Sequence, residues 1–349
     1  MNPQRGSFVL KIIFLILFLL AAVGLFTLIA PRFDQKPPSF IDLTQVPKKQ
    51  FPKTLPVYSL TKYSELSQDE AQQVAGALGF ADPPFLIDKN TSEGVQYNWQ
   101  IGDVSLTISP LSIRYKNLNS SNSTIPLNQD QLTQAARDFI ARISISPKDL
   151  QSNLKKTSYL KKTPSQFTSA PSFDLADVVE LHFETIIEGL PLIPNNPNSS
   201  TTIVRIAKNG DIASLNLRLY KDLTKDQVFD LKDFDQAKNE VSLGKGKIVQ
   251  TYLLDENGQA LELFSVLPTE IKNLQIKDVY LAYFLPDKDT QIQPVFVFEG
   301  TFKKGNQNGK AWLYLPAIKW QILPRCQGCH PQLDWGSDPR LDRGWHCLF

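Results

Sequence analysis

The apolar stretch Ile12–Ala30, IIFLILFLLAAVGLFTLIA, decides how the rest of the chain is organised. It contains no charged residue, and a helix of this length covers roughly 28 Å, close to the hydrocarbon thickness of a bilayer. A core helix of a globular domain would show a polar face, and this stretch has none. A cleaved signal peptide favours small residues before its cleavage site, whereas Leu28 occupies the −3 position here and Pro31 follows. The sequence therefore predicts an uncleaved transmembrane anchor.

The orientation of this anchor follows from the size of what comes after it. Basic residues flank both ends, with Arg5 and Lys11 on the short side and Arg32 and Lys36 on the other, so their count decides little. Long domains translocate largely regardless of charge. We therefore expect a single-pass membrane protein with residues 1–11 in the cytoplasm and the remaining chain outside it. Residues 31–54 contain five prolines and form a predicted extended linker.

Composition narrows the classes of partner. The chain has 37 Lys and Arg residues against 35 Asp and Glu residues, a net charge of +2, with both signs mixed throughout. A nucleic-acid-binding protein usually shows a basic stripe, so nucleic acid is not expected as a partner. No cysteine occurs between residues 31 and 319, and the stability of this region must therefore come from a hydrophobic core.

Helix signals alternate with groups of strand signals along residues 55–319. Ser67 and Glu70 have the spacing of a capping box, which predicts a helix that ends at Gly79. Asn209-Gly210 lies between two alternating apolar runs and predicts a hairpin. Two further helices are predicted over 129–143 and 233–243, and further strands over 55–60, 95–101, 104–109, 112–116, 178–187, 247–254, 261–264, 278–284, 292–298 and 311–315.

This pattern predicts an α+β fold: an N-terminal transmembrane helix followed by an extracytoplasmic ectodomain of antiparallel sheets, each packed by single helices. Residues 151–171 are rich in Lys, Ser and Pro and are interpreted as a seam, that is, the boundary between two halves of the ectodomain. We therefore divide the ectodomain into a first α+β domain, 55–165, and a second, 172–319. Residues 320–349 form an atypical tail rich in Cys and Trp.

Catalytic chemistry is not visible in residues 31–319. His182 lies in the middle of a predicted strand and is interpreted as a surface or packed residue. Glu180, Glu184 and Glu188 recur on one side of that strand and are interpreted as a solvated face. Residues 244–247, GKGK, follow a helix and lack the full spacing of a phosphate-binding loop. A polysaccharide enzyme that uses an acidic pair is an alternative, but no pair of carboxylates stands out.

One motif suggests a cofactor. Cys326, Cys329 and His330 form a C-x-x-C-H pattern, the attachment signal for c-type haem. However, all three cysteines of the chain follow Lys319 and no lysine does, which is an abrupt change of composition. Three interpretations stay open: an artefactual or unstructured tail, a disulfide or metal-binding tail, and a haem site.

Five short sequence segments occur in an order that resembles a known family. They are Gly189–Leu192, Asn209–Asp211, Asp235–Glu240, Val279–Tyr283 and Ile292–Phe296. Together with the anchor, residues 175–319 resemble the YycH/YycI type of membrane-anchored regulators of bacterial two-component systems, and more loosely the PepSY-like modules. The resemblance implies an extracytoplasmic α+β domain that acts on a sensor histidine kinase in the same membrane.

These observations favour a non-enzymatic, single-pass cell-membrane protein with two partners. Residues 12–30 contact the lipid bilayer, and the ectodomain binds another envelope protein, with regulation of a sensor kinase implied by the resemblance. No cofactor is expected under this hypothesis. The alternative is an extracytoplasmic redox protein that carries haem c at Cys326, Cys329 and His330.

Overall fold

The computed structural model describes residues 38, 40–60, 66–91, 94–117, 126–143, 150–163, 166–220, 223–256, 258, 260–261, 265–285 and 291–319. All of them belong to one compact unit of the chain. Within these ranges, no helix has both the length and the apolar composition needed to cross a bilayer. The predicted cytoplasmic segment 1–11, the predicted anchor 12–30 and the tail 320–349 lie outside the described residues, as does the start of the predicted linker.

Three α-helices are described, and all three were predicted. They are α1 (Gln68–Ala77), α2 (Gln129–Ala141) and α3 (Phe234–Ser242). Helix α1 begins with the expected capping box, in which the Ser67 hydroxyl accepts from the backbone N–H of Glu70 and the Glu70 carboxylate accepts from that of Ser67. Asn128 and Asp233 start α2 and α3 in the same way. The cap satisfies backbone donors that the first turn of a helix leaves free.

Eighteen β-strands account for most of the remaining structure, together with a 3₁₀ turn at Pro268–Glu270. They are β1 (Phe40–Asp42), β2 (Thr54–Leu60), β3 (Leu86–Thr91), β4 (Gly94–Ile101), β5 (Val104–Ile108), β6 (Ser112–Asn117), β7 (Gln151–Lys162), β8 (Phe167–Ser169), β9 (Val178–Ile187), β10 (Leu190–Ile193), β11 (Thr202–Ala207), β12 (Ile212–Arg218), β13 (Leu223–Asp230), β14 (Lys247–Leu254), β15 (Ala260–Leu261), β16 (Asn273–Phe284), β17 (Gln291–Lys304) and β18 (Gln307–Pro316). The predominance of strands, with separate helices, confirms the α+β class.

The first sheet has the order β3–β4–β5–β6–β12–β11–β9–β7–β8, and every neighbouring pair is antiparallel. Alternate side chains of its strands, such as Leu181, Phe183 and Val204, are fully buried and share one core with Ala71 of α1 and Leu132 of α2. Both helices therefore cover the same sheet. The expectation of a single helix for each sheet is wrong here, because one helix of this length is too narrow to cover the apolar face of nine strands.

The second sheet has the order β15–β14–β18–β17–β16, with β1 and β10 both running parallel to β16 along its outer edge. A ribbon of β13 and β2 joins β17 at Gln291 and Ile292. Helix α3 packs Phe234, Ala237 and Val241 against this sheet. The two parallel pairs correct the prediction of purely antiparallel sheets. They were not predictable because they join segments far apart in sequence.

Strand β10 belongs to both sheets and brings them together. Its first residues pair with β9 of the first sheet and its last two with β16 of the second. A small core lies at this junction and includes Tyr58, Leu192 and Tyr283. The buried Tyr283 hydroxyl donates to the carbonyl of Pro56 at 3.1 Å. This junction places the first and the second sheet side by side.

The hydrophobic cores do not follow the predicted boundary near residues 165–172. Strands β9, β11 and β12 complete the first core, and β2 contributes Leu55 and Val57 to the second. The predicted seam contains β7 and β8, which hydrogen-bond to the first sheet. Its composition misled the sequence analysis because β7 is largely exposed and therefore lacks an apolar alternation. As a statement about independently folding domains, the division into 55–165 and 172–319 stays a prediction.

Candidate functional site

A cleft of about 390 Å³ lies where the two sheets meet. One wall comes from β7, β9, β10 and the segment after β10, and the other from β14, β16, β17 and β18. The lining side chains are five charged residues, three aromatic residues, and a rim of proline, isoleucine and asparagine: Lys155, Glu184, Asp278, Glu299 and Lys310; Tyr252, Tyr280 and Trp312; Pro191, Ile193, Pro197 and Asn198. This mixture of paired charges and aromatic rings is suited to binding a polar ligand.

On the first wall, Lys155 is placed by a β-bulge. In the pairing of β7 with β9, Leu154 lies opposite Phe183 and Lys156 opposite His182, so Lys155 is the extra residue. A bulge re-aims the side chain of its extra residue and recurs next to binding and active sites. Here it directs Lys155 into the cleft.

The ammonium group of Lys155 is held at the rim of the cleft. Lys155 as a residue is exposed, but its Nζ donates to the Pro197 carbonyl at 2.6 Å in a half-buried contact. Burial lowers the pKa of this ammonium, and the negative charge of Glu184 partly offsets that effect. The hydrogen bond of this ammonium therefore goes to a backbone carbonyl, and Glu184 acts on it only through its charge.

Glu184 is the carboxylate of this wall that keeps its hydrogen-bonding capacity. It lies on β9, is half-buried and lines the cleft. Within the part of the chain that the structure describes, its carboxylate makes neither a hydrogen bond nor an ion pair. An ionised carboxylate can accept about four hydrogen bonds, so Glu184 offers free acceptor sites inside a concave surface.

The carboxylates of the second wall are paired with lysines. Glu299 on β17 accepts from Lys310 on β18 at 3.2 Å. Asp278 on β16 accepts from Lys49, which belongs to the segment between β1 and β2. Both pairs are partly exposed, and each such pair contributes little to stability. Their role in the cleft is to fix the position of charges.

Aromatic side chains complete the second wall. The rings of Tyr252 and Trp312 are mostly buried, with their centroids 5.1 Å apart and tilted by 44°. Beside them, Tyr280 is half-buried on β16. Burial raises the pKa of its phenol, and the nearby carboxylates of Glu299, Glu184 and Asp278 raise it further. Tyr280 therefore keeps its proton and presents a neutral hydroxyl to the cleft.

Two more bulges lie in the strands of the second wall. Lys277 is the extra residue of β16 opposite β17, and Val249 is the extra residue of β14 opposite β18. Lys277 directly precedes the lining residue Asp278, and Val249 lies close to the lining residue Tyr252 in β14. Three of the strands that line the cleft are thus locally bent at the cleft, which is typical of sheets that shape a binding surface.

Glu180 and His182 form a separate cluster outside the cleft. The Glu180 carboxylate is bonded to His182 Nε2 at 2.8 Å and accepts from Arg205 Nε at 2.7 Å, and its side chain is only 13% exposed. These contacts lower the pKa of Glu180 to about 2, with the bond to His182 as the largest cause and the bond to Arg205 next among the favourable ones. The interpretation of Glu180 as part of a solvated face is wrong, because the sequence did not show that β11 would bring Arg205 beside it.

Glu188 closes the hairpin between β9 and β10. Its φ of 48° lies in the left-handed region, and Gly189 follows at 79°, as a two-residue hairpin of this type requires. The Glu188 carboxylate accepts from the Tyr58 hydroxyl at 3.0 Å and also pairs with Lys225. This exposed turn therefore ties the first sheet to the ribbon of β2 and β13.

The predicted haem site belongs to the C-terminal tail. Cys326, Cys329 and His330 lie outside the described residues. Over the ranges given above, no group of three or more His, Cys, Asp or Glu side chains is arranged to hold a metal ion. The glycine and lysine run 244–247 follows α3, as interpreted from the sequence: residues 244–246 form the loop and Lys247 begins β14. Gly244 has a φ of 76° after the helix end at Leu243.

Sequence reasoning did not find the cleft. Its lining comes from seven strands and one connecting segment, and most of the pairings between them are long-range. Glu184 was singled out, but as a solvated carboxylate, and Lys155 fell in the predicted seam. A usable signal was the alternation of Asp278 and Tyr280 with the apolar residues Val279 and Leu281, which places the two polar side chains on one face of the strand.

No family model matches the chain, and no curated protein matches it. The resemblance to the YycH/YycI type of regulators therefore stays a prediction.

Proposed function

We propose that this chain is a membrane-anchored, non-enzymatic binding protein whose α+β region engages a segment of another envelope protein in the cleft between its two sheets. The observation that carries this proposal is the cleft itself. It is concave, it presents hydrogen-bonding groups from both sheets, and Asp278, Glu299 and Lys310 of its lining are already held in ion pairs. Preorganised polar groups around aromatic rings favour recognition, since little ordering is needed when the ligand binds.

The membrane anchor and the location of the α+β region outside the cytoplasm are inferred from the apolar stretch 12–30. If they span the membrane, the start of β1 at Phe40 lies within ten residues of the bilayer, a reach of roughly 35 Å for an extended chain. Membrane proteins with extracytoplasmic parts are then the partners within reach. A sensor histidine kinase is the partner implied by the resemblance, and the proposal includes it as the first partner to test.

A second candidate function rests on the C-x-x-C-H motif. Covalent haem at Cys326, Cys329 and His330 would make the chain an extracytoplasmic redox protein. An intact mass of the protein from its own membrane distinguishes the two, because covalent haem adds its mass to the chain. A mass without haem, or haem staining that persists in a double Cys326→Ala, Cys329→Ala variant, would remove this candidate.

Site-specific photocrosslinking tests the binding proposal. A photoreactive residue at Asn198, on the exposed rim of the cleft, is expected to capture one membrane protein in intact cells. The matched control is the same residue at Lys89, exposed on the edge strand β3 of the first sheet. Capture of the same protein from both positions, or no capture from Asn198, would contradict the proposal.

A further inference from the structure

We infer that the cleft recognises a basic side chain, a Lys ammonium or an Arg guanidinium, carried by the bound protein segment, and that Glu184 and Tyr280 are the groups that accept it. This inference rests on the proposed function and names the chemistry of its ligand. It follows from an inventory of which polar groups in the cleft are already satisfied.

Three of the charged groups that line the cleft are already satisfied. Glu299 is paired with Lys310, Asp278 is paired with Lys49, and the ammonium of Lys155 is bonded to a backbone carbonyl. Each of these groups would have to give up an existing partner to bind a ligand strongly. They define the shape and the local charge of the cleft.

Glu184 and Tyr280 keep free capacity to accept a hydrogen bond. Among the described residues, neither the Glu184 carboxylate nor the Tyr280 hydroxyl makes a hydrogen bond. Both residues line the same cleft, and the negative charge of Glu184 raises the pKa of the Tyr280 phenol. A carboxylate is an acceptor only, and a phenol oxygen can also accept, so the complementary ligand group is a donor. A cationic donor fits best, because a hydrogen bond between charged groups is stronger than one between neutral groups.

Ion pairing leaves one carboxylate of the cleft available to a cation. Of the three carboxylates that line the cleft, Asp278 is paired with Lys49 and Glu299 with Lys310, whereas Glu184 makes no ion pair among the described residues. Aromatic rings line the same cleft and add to this preference, since the face of a Tyr or Trp ring attracts cations within about 6 Å. A carboxylate or phosphate ligand would instead meet Glu184 without a partner.

Lys155 opposes the incoming cation, and this makes the inference sharply testable. Its ammonium lines the same cleft as Glu184 and interacts with that carboxylate electrostatically, so it repels a second positive charge. Removing the charge of Glu184 and removing that of Lys155 must therefore change the affinity for a cation in opposite directions. A purely structural role for the two residues would give losses in both variants.

The test uses the purified full-length chain in detergent and two small probes, N-acetyl-arginine amide and N-acetyl-citrulline amide. The probes have nearly the same shape, but only the first is charged. Ligand-observed NMR titration is expected to show that the arginine probe binds at least about tenfold more tightly. In Glu184→Gln this preference should fall close to one, and in Lys155→Met the arginine probe should bind more tightly than to the unmodified chain. Glu256→Gln, an exposed carboxylate in the turn after β14, is the matched control and should keep the preference.

Equal affinity for the two probes, absence of binding, or a preference that survives in Glu184→Gln would overturn the inference, as would weaker binding in Lys155→Met. Thermal unfolding of each variant shows whether it is folded, and a misfolded Glu184→Gln is replaced by Glu184→Asp, for which a reduced preference is expected. Crosslinking from Asn198 is scored separately. A captured protein combined with no preference for arginine leaves the proposed function standing and removes only its basic ligand.

Discussion

The cluster of Glu180, His182 and Arg205 makes the stability of the first sheet dependent on pH. The ordinary pKa of a Glu carboxyl is 4.5, and in the folded chain that of Glu180 falls to about 2. One pKa unit corresponds to about 1.4 kcal/mol, so ionised Glu180 stabilises the fold by about 3 kcal/mol. Little of this is lost to solvent screening, because the side chain is 13% exposed. Since the folded pKa is depressed, the stabilisation is present above pH 4.5 and is lost as the pH falls toward 2.

Glu180→Gln tests this magnitude, because the amide resembles the protonated acid. We expect the variant to be less stable than the unmodified chain by about 3 kcal/mol at pH 7, and the two to converge between pH 4.5 and 2. Urea unfolding of the full chain in detergent, followed by far-UV circular dichroism at several pH values, measures the difference. Glu256→Gln, at an exposed turn, should track the unmodified chain throughout. A gap for Glu180→Gln that stays constant from pH 7 to pH 2.5 would refute the reasoning.

Three other changes test the packing and the backbone, all by thermal or urea unfolding. Gly300→Ala places a Cβ 2.8 Å from the Gln275 carbonyl and should destabilise the second sheet by about 1–3 kcal/mol. Gly76→Ala, in open space within α1, should instead stabilise the chain by about 0.5–1 kcal/mol. Similar effects at both glycines would contradict the packing described. Phe183→Ala removes a fully buried ring from the first core and should cost about 3–5 kcal/mol, and a cost below 1 kcal/mol would mean that this core is loosely packed. Glu188→Val puts a β-branched residue at a φ of 48° and should destabilise the chain by about 1–3 kcal/mol. Glu188→Asn should cost clearly less, because asparagine tolerates that conformation. A larger loss of stability in Glu188→Asn than in Glu188→Val would contradict the turn.

Local signals in the sequence predicted local structure well. The spacing of Ser67 and Glu70 predicted the start of α1, and Asn209-Gly210 predicted the hairpin of β11 and β12. In each case, the physical cause lies within a few residues of the chain: a side chain that caps free backbone donors, or a turn that requires positive φ. Alternating apolar residues predicted β9 for the same reason.

Long-range pairing was not predictable in the same way. Strand β2 pairs with β13 and β17, more than 150 residues later, and no local pattern records that choice. Strand β7 was missed because its exposed face leaves no apolar period. The cleft depends on both features, and on a bulge that selects Lys155 rather than Lys156. None of its lining residues marks a binding site in the sequence by itself, and these residues come together only because the two sheets meet.

The identity of the peptide captured from Asn198 is the most direct test of the binding proposal. Crosslinked material from intact cells is digested, and the attached peptide is sequenced by mass spectrometry, with Lys89 as the control position. The account predicts one segment of one other membrane protein, with a Lys or Arg next to the crosslinked position, and loss of this product in Glu184→Gln. Peptides from many unrelated proteins, or the same products from Lys89, would contradict the claim that this cleft is a binding site.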